Sequence, residues 1–408
     1  MVAFTWLVFI LNPLIGSIFS SIGLFSDRKR NIHYSAMMAL LCSSFAYWFI
    51  PKHEMDLTRY FAQLKSYSTL SWDSFYEIIL SKQLLVIQEL LFYFIAQSQN
   101  YHLLPAISIF ISYFILFYII TDYSNKNNVR SREMFGTLIF ILCVLPFPIL
   151  VSNVRNIMAF SIFIFGAYRE FEQGKRNVLT YILYMIPVFI HIATVSLLLL
   201  RIIVSIYDFN KKRSIVISLG IASVAFFITQ FSEIVEKSGL PNRVIQAFFI
   251  KADNYATNND SAYAIYLQSN LFMNLQKYYF VSIVLFFLML LFIIRRQSSI
   301  LALNEKHKKM LSFYSLVCLT VVGTAPIVIT VYLRFTFPAI MLSFLVLLRY
   351  HQWIKSKISK QIISFGILSG AIGGLIQQII FLDKVTNISQ MFSSVTVRSL
   401  INMYIPIT

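Results

Sequence analysis

What most constrains this chain is a succession of long apolar runs divided by short basic segments. A helix crossing about 30 Å of hydrocarbon needs roughly 20 apolar residues, fewer where protein shelters it. Runs of this kind occupy 4–25, 33–50, 101–121, 135–152, 156–168, 178–190, 192–207, 214–233, 276–294, 311–332, 335–349 and 361–382. They predict an all-α polytopic membrane protein of about 12 transmembrane helices, several of them short. Charged residues make up 12% of the chain, about half the share that a water-facing surface requires. An ordinary soluble domain is therefore excluded.

The formal net charge of +17 would point to nucleic acid in a soluble chain. In a membrane chain it is a topology signal, and the partner it implies is the lipid bilayer. Lys and Arg concentrate in 28–30, 126–132, 169–176, 211–213, 295–309 and 349–360. Cytoplasmic loops hold the excess of Lys and Arg, so these segments are read as inside. That assignment requires 178–207 to be a hairpin of two short spans turning at Pro187 to His191. It also requires 84–97, interrupted by Gln88 and Glu89, to be interfacial or re-entrant.

Two longer polar segments then fall outside. Segment 51–83 carries Trp72, Phe75 and Tyr76 among polar residues, as an interfacial amphipathic helix would, and 234–275 reads as a capping loop. The whole of 1–408 reads as a single integral membrane domain. The apolar start precedes the cluster Asp27-Arg28-Lys29-Arg30, whereas a secretory signal carries its positive charge first. It is expected to be a retained span with its N-terminus outside. Cys42, Cys143 and Cys318 each lie inside an apolar run and read as packing residues.

Prolines lie toward the outer ends of spans, at Pro51, Pro105, Pro146, Pro148, Pro187, Pro326 and Pro338. Each frees a backbone carbonyl that must find a partner in protein or in a water-filled cavity. Polar groups recur beside these breaks: Asp56, Arg59 and Tyr60 after Pro51; Asn153, Arg155 and Asn156 after Pro148; His191 after Pro187; Tyr332 and Arg334 between Pro326 and Pro338. In a helix Asp56, Arg59 and Tyr60 would share a face. Arg155 and Arg334 are each a lone cation between closely spaced apolar spans, and an ionisable residue in that setting is a functional candidate. Each also has a plain reading: arginines snorkelling to headgroups, a satisfied core histidine, an exposed Asp56–Arg59 pair. His53, Glu54 and Asp56 form a weak metal pattern.

The motifs DLTRY (56–60), NVRN (153–156), HIATVSLLLL (191–200) and YLRFTFP (332–338), in this order, resemble those of the EpsG family of Wzy-like polysaccharide polymerases. Asn156 stands where that family often has glutamine; both are neutral amides. The resemblance implies a GT-C-like glycosyltransferase of the bacterial inner or plasma membrane, working on its outer face. It would join oligosaccharide repeat units carried on undecaprenyl diphosphate, with such lipids as both donor and acceptor. A flippase and a chain-length regulator of the same pathway are implied partners.

The residue chemistry fits that role. Arg155 and Arg334 would grip the diphosphate bidentately and stabilise charge on the leaving group. His191 would accept the acceptor hydroxyl's proton, or Asp56 would, with Arg59 and Tyr60 orienting the sugar. Asn153, Asn156 and Tyr332 complete the expected substrate-binding set. No cofactor and no metal is expected, because two arginines can do the neutralising. The rival readings are a lipid-linked oligosaccharide transporter, which would show internal repeats and breaks in both halves of the bundle, a membrane acyltransferase that decorates the polymer, and a scaffold for an export complex.

Overall fold

The computed structural model describes residues 2–52, 55–82, 85–205, 271–295, 305–325 and 329–404, and among them every regular element is helical. The chain divides into two compact units, Met1–Leu198 with Leu368–Thr408, and Leu199–Ile367. The expected span 214–233, nearly all of the 234–275 loop, Pro326 and the residues His53 and Glu54 lie outside the described residues.

The first unit opens on α1 (Val2–Leu11) and α2 (Pro13–Ser26). This corrects the single span expected over 4–25. Asn12 is extended and its side chain accepts a bond from the Ile15 backbone N–H, while Pro13 occupies the first turn, a combination that starts a new helix. The two helices fold back on each other. Phe4 and Phe19 rings sit 5.7 Å apart, where one straight helix would separate them by about 22 Å. Gly16 makes this possible, since a Cβ there would fall 2.3 Å from the Phe9 Cα. At 10 and 14 residues the helices reach about 15 and 21 Å, each shorter than the roughly 30 Å of hydrocarbon that the expected single helix would span.

Next come α3 (Asn31–Tyr47), α4 (Asp56–Tyr67), α5 (Trp72–Lys82), α6 (Val86–Gln97) and α7 (Leu103–Lys126). Helices α3 and α7 form the most extensive pair in the unit, pinned where Ser43 Oγ donates to the Ala106 carbonyl at 2.8 Å. Segment 51–83 is thus two helices. Phe75 of α5 turns inward to stack on Tyr93 of α6, with ring centroids 4.1 Å apart, while Trp72 and Tyr76 stay exposed.

The run 135–152 is also broken, into α8 (Ser131–Val144) and α9 (Phe147–Ser152). Pro146 has no N–H for the Leu142 carbonyl, and the chain leaves helical geometry at Leu145. The carbonyls so released do find a partner in protein: Gln378 Nε2 donates to Leu142 and Cys143, each at 2.7 Å. Helices α10 (Val154–Phe171) and α11 (Val178–Ile190) pack as an antiparallel pair, and α12 (Thr194–Ile203) follows. Helix α11 runs through Pro187 and stops at His191, so the break expected at Pro187 to His191 falls at 191–193.

The second unit contains α13 (Leu271–Arg295), α14 (Glu305–Thr324), α15 (Ile329–Met341) and the single turns α16 (Phe344–Leu347) and α17 (Tyr350–Trp353). Helix α13 packs on α14 and α15. The expected span 335–349 is interrupted at 342–343. Helix α18 (Lys357–Val385) runs on to α19 (Ile388–Val397) and α20 (Leu400–Met403). Among the described residues α7, α13 and α18 are long and apolar enough to cross a membrane.

Candidate functional site

The richest polar constellation lies where α10 begins. Asn153 ends α9 with φ −94° and ψ 43°, and its amide donates back to the Ile149 carbonyl at 3.0 Å. The junction of α9 and α10 is fixed from two sides. Ser108 of α7 donates to the Val154 carbonyl at 2.7 Å, and the Leu57 N–H of α4 reaches Ser152 Oγ at 3.4 Å.

Arg155 projects from this first turn, half-buried. Its Nε donates to the Tyr60 hydroxyl and its Nη1 to Gln88 Oε1, both at 2.9 Å. The guanidinium carbon lies 4.9 Å from the Tyr60 ring centroid. Burial pushes the Tyr60 phenol up, with the Arg155 charge pulling against it. Both acceptors are neutral, and a guanidinium carries five N–H donors. Among the described residues, then, Arg155 is held in place with donors to spare and no carboxylate bonded to it.

Behind Gln88 stands a residue that sequence reasoning did not place in the site. Glu89 is 1% exposed. Its Oε1 accepts from Gln88 Nε2 at 3.1 Å, and its Oε2 accepts from the Tyr67 hydroxyl at 2.5 Å and from Gln63 Nε2 at 3.3 Å. The signal was present in the sequence as a charge inside the apolar run 84–97, where it served only to argue against a crossing.

Asp56 and Arg59 take a different course. They pair with each other, with the Arg59 side chain 77% exposed. Tyr60 turns inward and is 8% exposed. The shared face expected for Asp56, Arg59 and Tyr60 is thus split: Tyr60 meets Arg155, and the ion pair faces out.

His191 caps the C-terminal end of α11, 7% exposed. Its carbonyl accepts from the Thr194 hydroxyl at 2.7 Å. The register of α10 against α11 follows from Gly166 packing on Leu183 and Tyr184, Phe163 on Tyr184, and Ala159 with Met158 clustering on Ile190. One further turn toward the start of α10 brings Asn156 level with His191. Asn156 Oδ1 is buried and has no hydrogen-bond partner among the described residues. The first unit thus gathers Arg155, Asn156, Asn153, Tyr60 and the His191 turn at one end of the α10–α11 pair, with α4 carrying Asp56 and Arg59 beside it.

Arg334 and Tyr332 belong to α15 in the second unit. Tyr332 is 2% exposed and faces Lys277, whose Nζ lies 5.9 Å from its ring centroid. Arg334 is half-buried. Among the described residues no three His, Cys, Asp or Glu side chains converge as a metal-binding group. No family model, curated protein or solved structure matches the chain.

Proposed function

We propose that this protein is a membrane glycosyltransferase that joins undecaprenyl-diphosphate-linked oligosaccharide repeat units on the outer face of a bacterial inner or plasma membrane. We read it as a polysaccharide polymerase of the Wzy-like, EpsG type with GT-C-like architecture. The observation that carries the reading is Arg155. A guanidinium fixed by two neutral acceptors keeps its charge and its remaining donors for an anion, and bidentate phosphate recognition is the chemistry a guanidinium performs best.

In this reading Arg155 binds the donor's diphosphate, while Arg334 of the second unit is kept as a separate diphosphate candidate on the sequence resemblance alone. The acceptor hydroxyl attacks the anomeric carbon as the bond from that carbon to the diphosphate oxygen breaks. The lipid diphosphate leaves with the electron pair, stabilised by Arg155, and the hydroxyl proton passes to His191. Asp56 is the weaker candidate for that proton because its carboxylate is engaged by Arg59. The amides of Asn153 and Asn156 and the Tyr60 hydroxyl line the approach. Flippase and chain-length regulator are the partners this pathway would provide.

The test supplies a defined lipid-diphosphate repeat unit to the purified protein. A ladder of lengthening products is expected, insensitive to chelator. Arg334→Ala is expected to insert into the membrane and give no ladder. A ladder of normal length from that variant contradicts the assignment of Arg334, and loss of activity in chelator with rescue by magnesium contradicts the metal-free mechanism.

A further inference from the structure

The chain of hydrogen bonds behind Arg155 has a fixed polarity. A guanidinium only donates and a carboxylate only accepts, so the amide of Gln88 between them has one orientation, with Oε1 toward Arg155 and Nε2 toward Glu89. Glu89 in turn is held by Tyr67 and Gln63. A buried carboxylate thereby faces the guanidinium across a single amide. The separation is roughly 8 Å, two hydrogen bonds and the width of an amide. At that distance the carboxylate leaves the donors of Arg155 untouched, yet it opposes any anion that binds them.

We propose that Glu89 is a positioning residue that sets the anion affinity of Arg155 at one remove, weakening the grip so that a phosphate-bearing product can leave. The proposal rests on the reading of Arg155 as a phosphate ligand. Its sign follows from Coulomb's law. With an effective dielectric of about 20, removing a unit charge about 8 Å away strengthens anion binding by up to roughly 30-fold, and partial solvent screening brings this down to a few-fold. A Glu89 that serves only to satisfy buried donors makes the opposite prediction: its neutral replacement disturbs Gln88 and binding weakens.

The experiment measures inorganic pyrophosphate binding to the full-length protein in detergent, with thermal unfolding followed on the same samples. Wild type is expected to bind saturably and Arg155→Ala to lose that binding. Glu89→Gln is expected to bind between about 3- and 30-fold more tightly, while Tyr67→Phe, which damages the same network but keeps the charge, stays within about twofold of wild type. Tighter binding in Glu89→Gln supports the proposal; unchanged or weaker binding overturns it while leaving the reading of Arg155 intact. Wild-type binding that Arg155→Ala does not alter removes that reading and the proposal together. Should Glu89→Gln fail to give folded protein, Glu89→Met carries the same prediction. If neither variant folds, Glu89 is purely structural and the proposal falls.

Discussion

Arg59 lies on the short helix α4 and Arg155 meets that helix at Tyr60, yet their surroundings could hardly differ more. Arg59 is 77% exposed and paired with Asp56. Such a surface pair contributes about 0–1 kcal/mol and vanishes into salt. Arg155 is half-buried, bonded to a phenol and an amide, and its nearest carboxylate in the hydrogen-bonded chain stands one amide away. A protein that needed only to stabilise Arg155 would have given it the carboxylate that Arg59 has. The contrast shows that position between apolar helices marks an arginine as a candidate, and that the identity of its partners decides what it is free to do.

That contrast can be broken in several ways, and the expected effects differ in size. The largest concerns the proton acceptor. His191→Ala is expected to lower turnover by roughly 1,000-fold, within the range for loss of a general base, whereas Asp56→Ala, which removes the partner of the exposed pair, should cost less than about tenfold. Measured rates of repeat-unit joining decide between them; the reverse order would move the base to α4.

Next, Gln88→Met removes the acceptor that holds Arg155 Nη1 without setting a second carboxylate against Glu89. Turnover should drop by about tenfold, because the guanidinium loses one of its two fixed partners and the substrate must order it. A loss of stability rather than turnover, about 2 kcal/mol, is expected from Gln378→Leu, which leaves the Leu142 and Cys143 carbonyls without their donor. Denaturation in mild detergent reads it. The smallest effect belongs to Arg59→Ala, within about threefold of wild type in every assay.

The start of α10 was legible because NVRN places a lone cation beside proline breaks, and apolar length with charge spacing predicted α11 to the residue and α7, α13 and α18 to within about five residues, α13 taking in 271–275, which was expected as the end of the capping loop. What the pattern could not supply was the fold-back at Asn12 and Pro13. Hydropathy over 4–25 is continuous, and the turn is written in the cap instead: Asn12 before Pro13, with Gly16 clearing room for Phe9. The spacing of Asp56, Arg59 and Tyr60 predicted a common face, but i+3 and i+4 neighbours diverge enough around the helix axis for one to point in and the other out. Glu89 was visible as a charge and opaque as a partner, since the hydrogen bonds it accepts from Tyr67 and Gln63 come from α4 and a third from its own neighbour Gln88, pairings that only the packed structure brings together.

The central claim is that Arg155 grips the phosphate of a lipid-linked donor and Arg59 does not. The most direct measurement compares Arg155→Ala with Arg59→Ala in one polymerisation assay, using equal amounts of inserted protein and a defined lipid-diphosphate repeat unit. The account predicts no ladder from the first, a rate loss of roughly 100-fold or more, and a normal ladder from the second. Comparable ladders from both variants would contradict it.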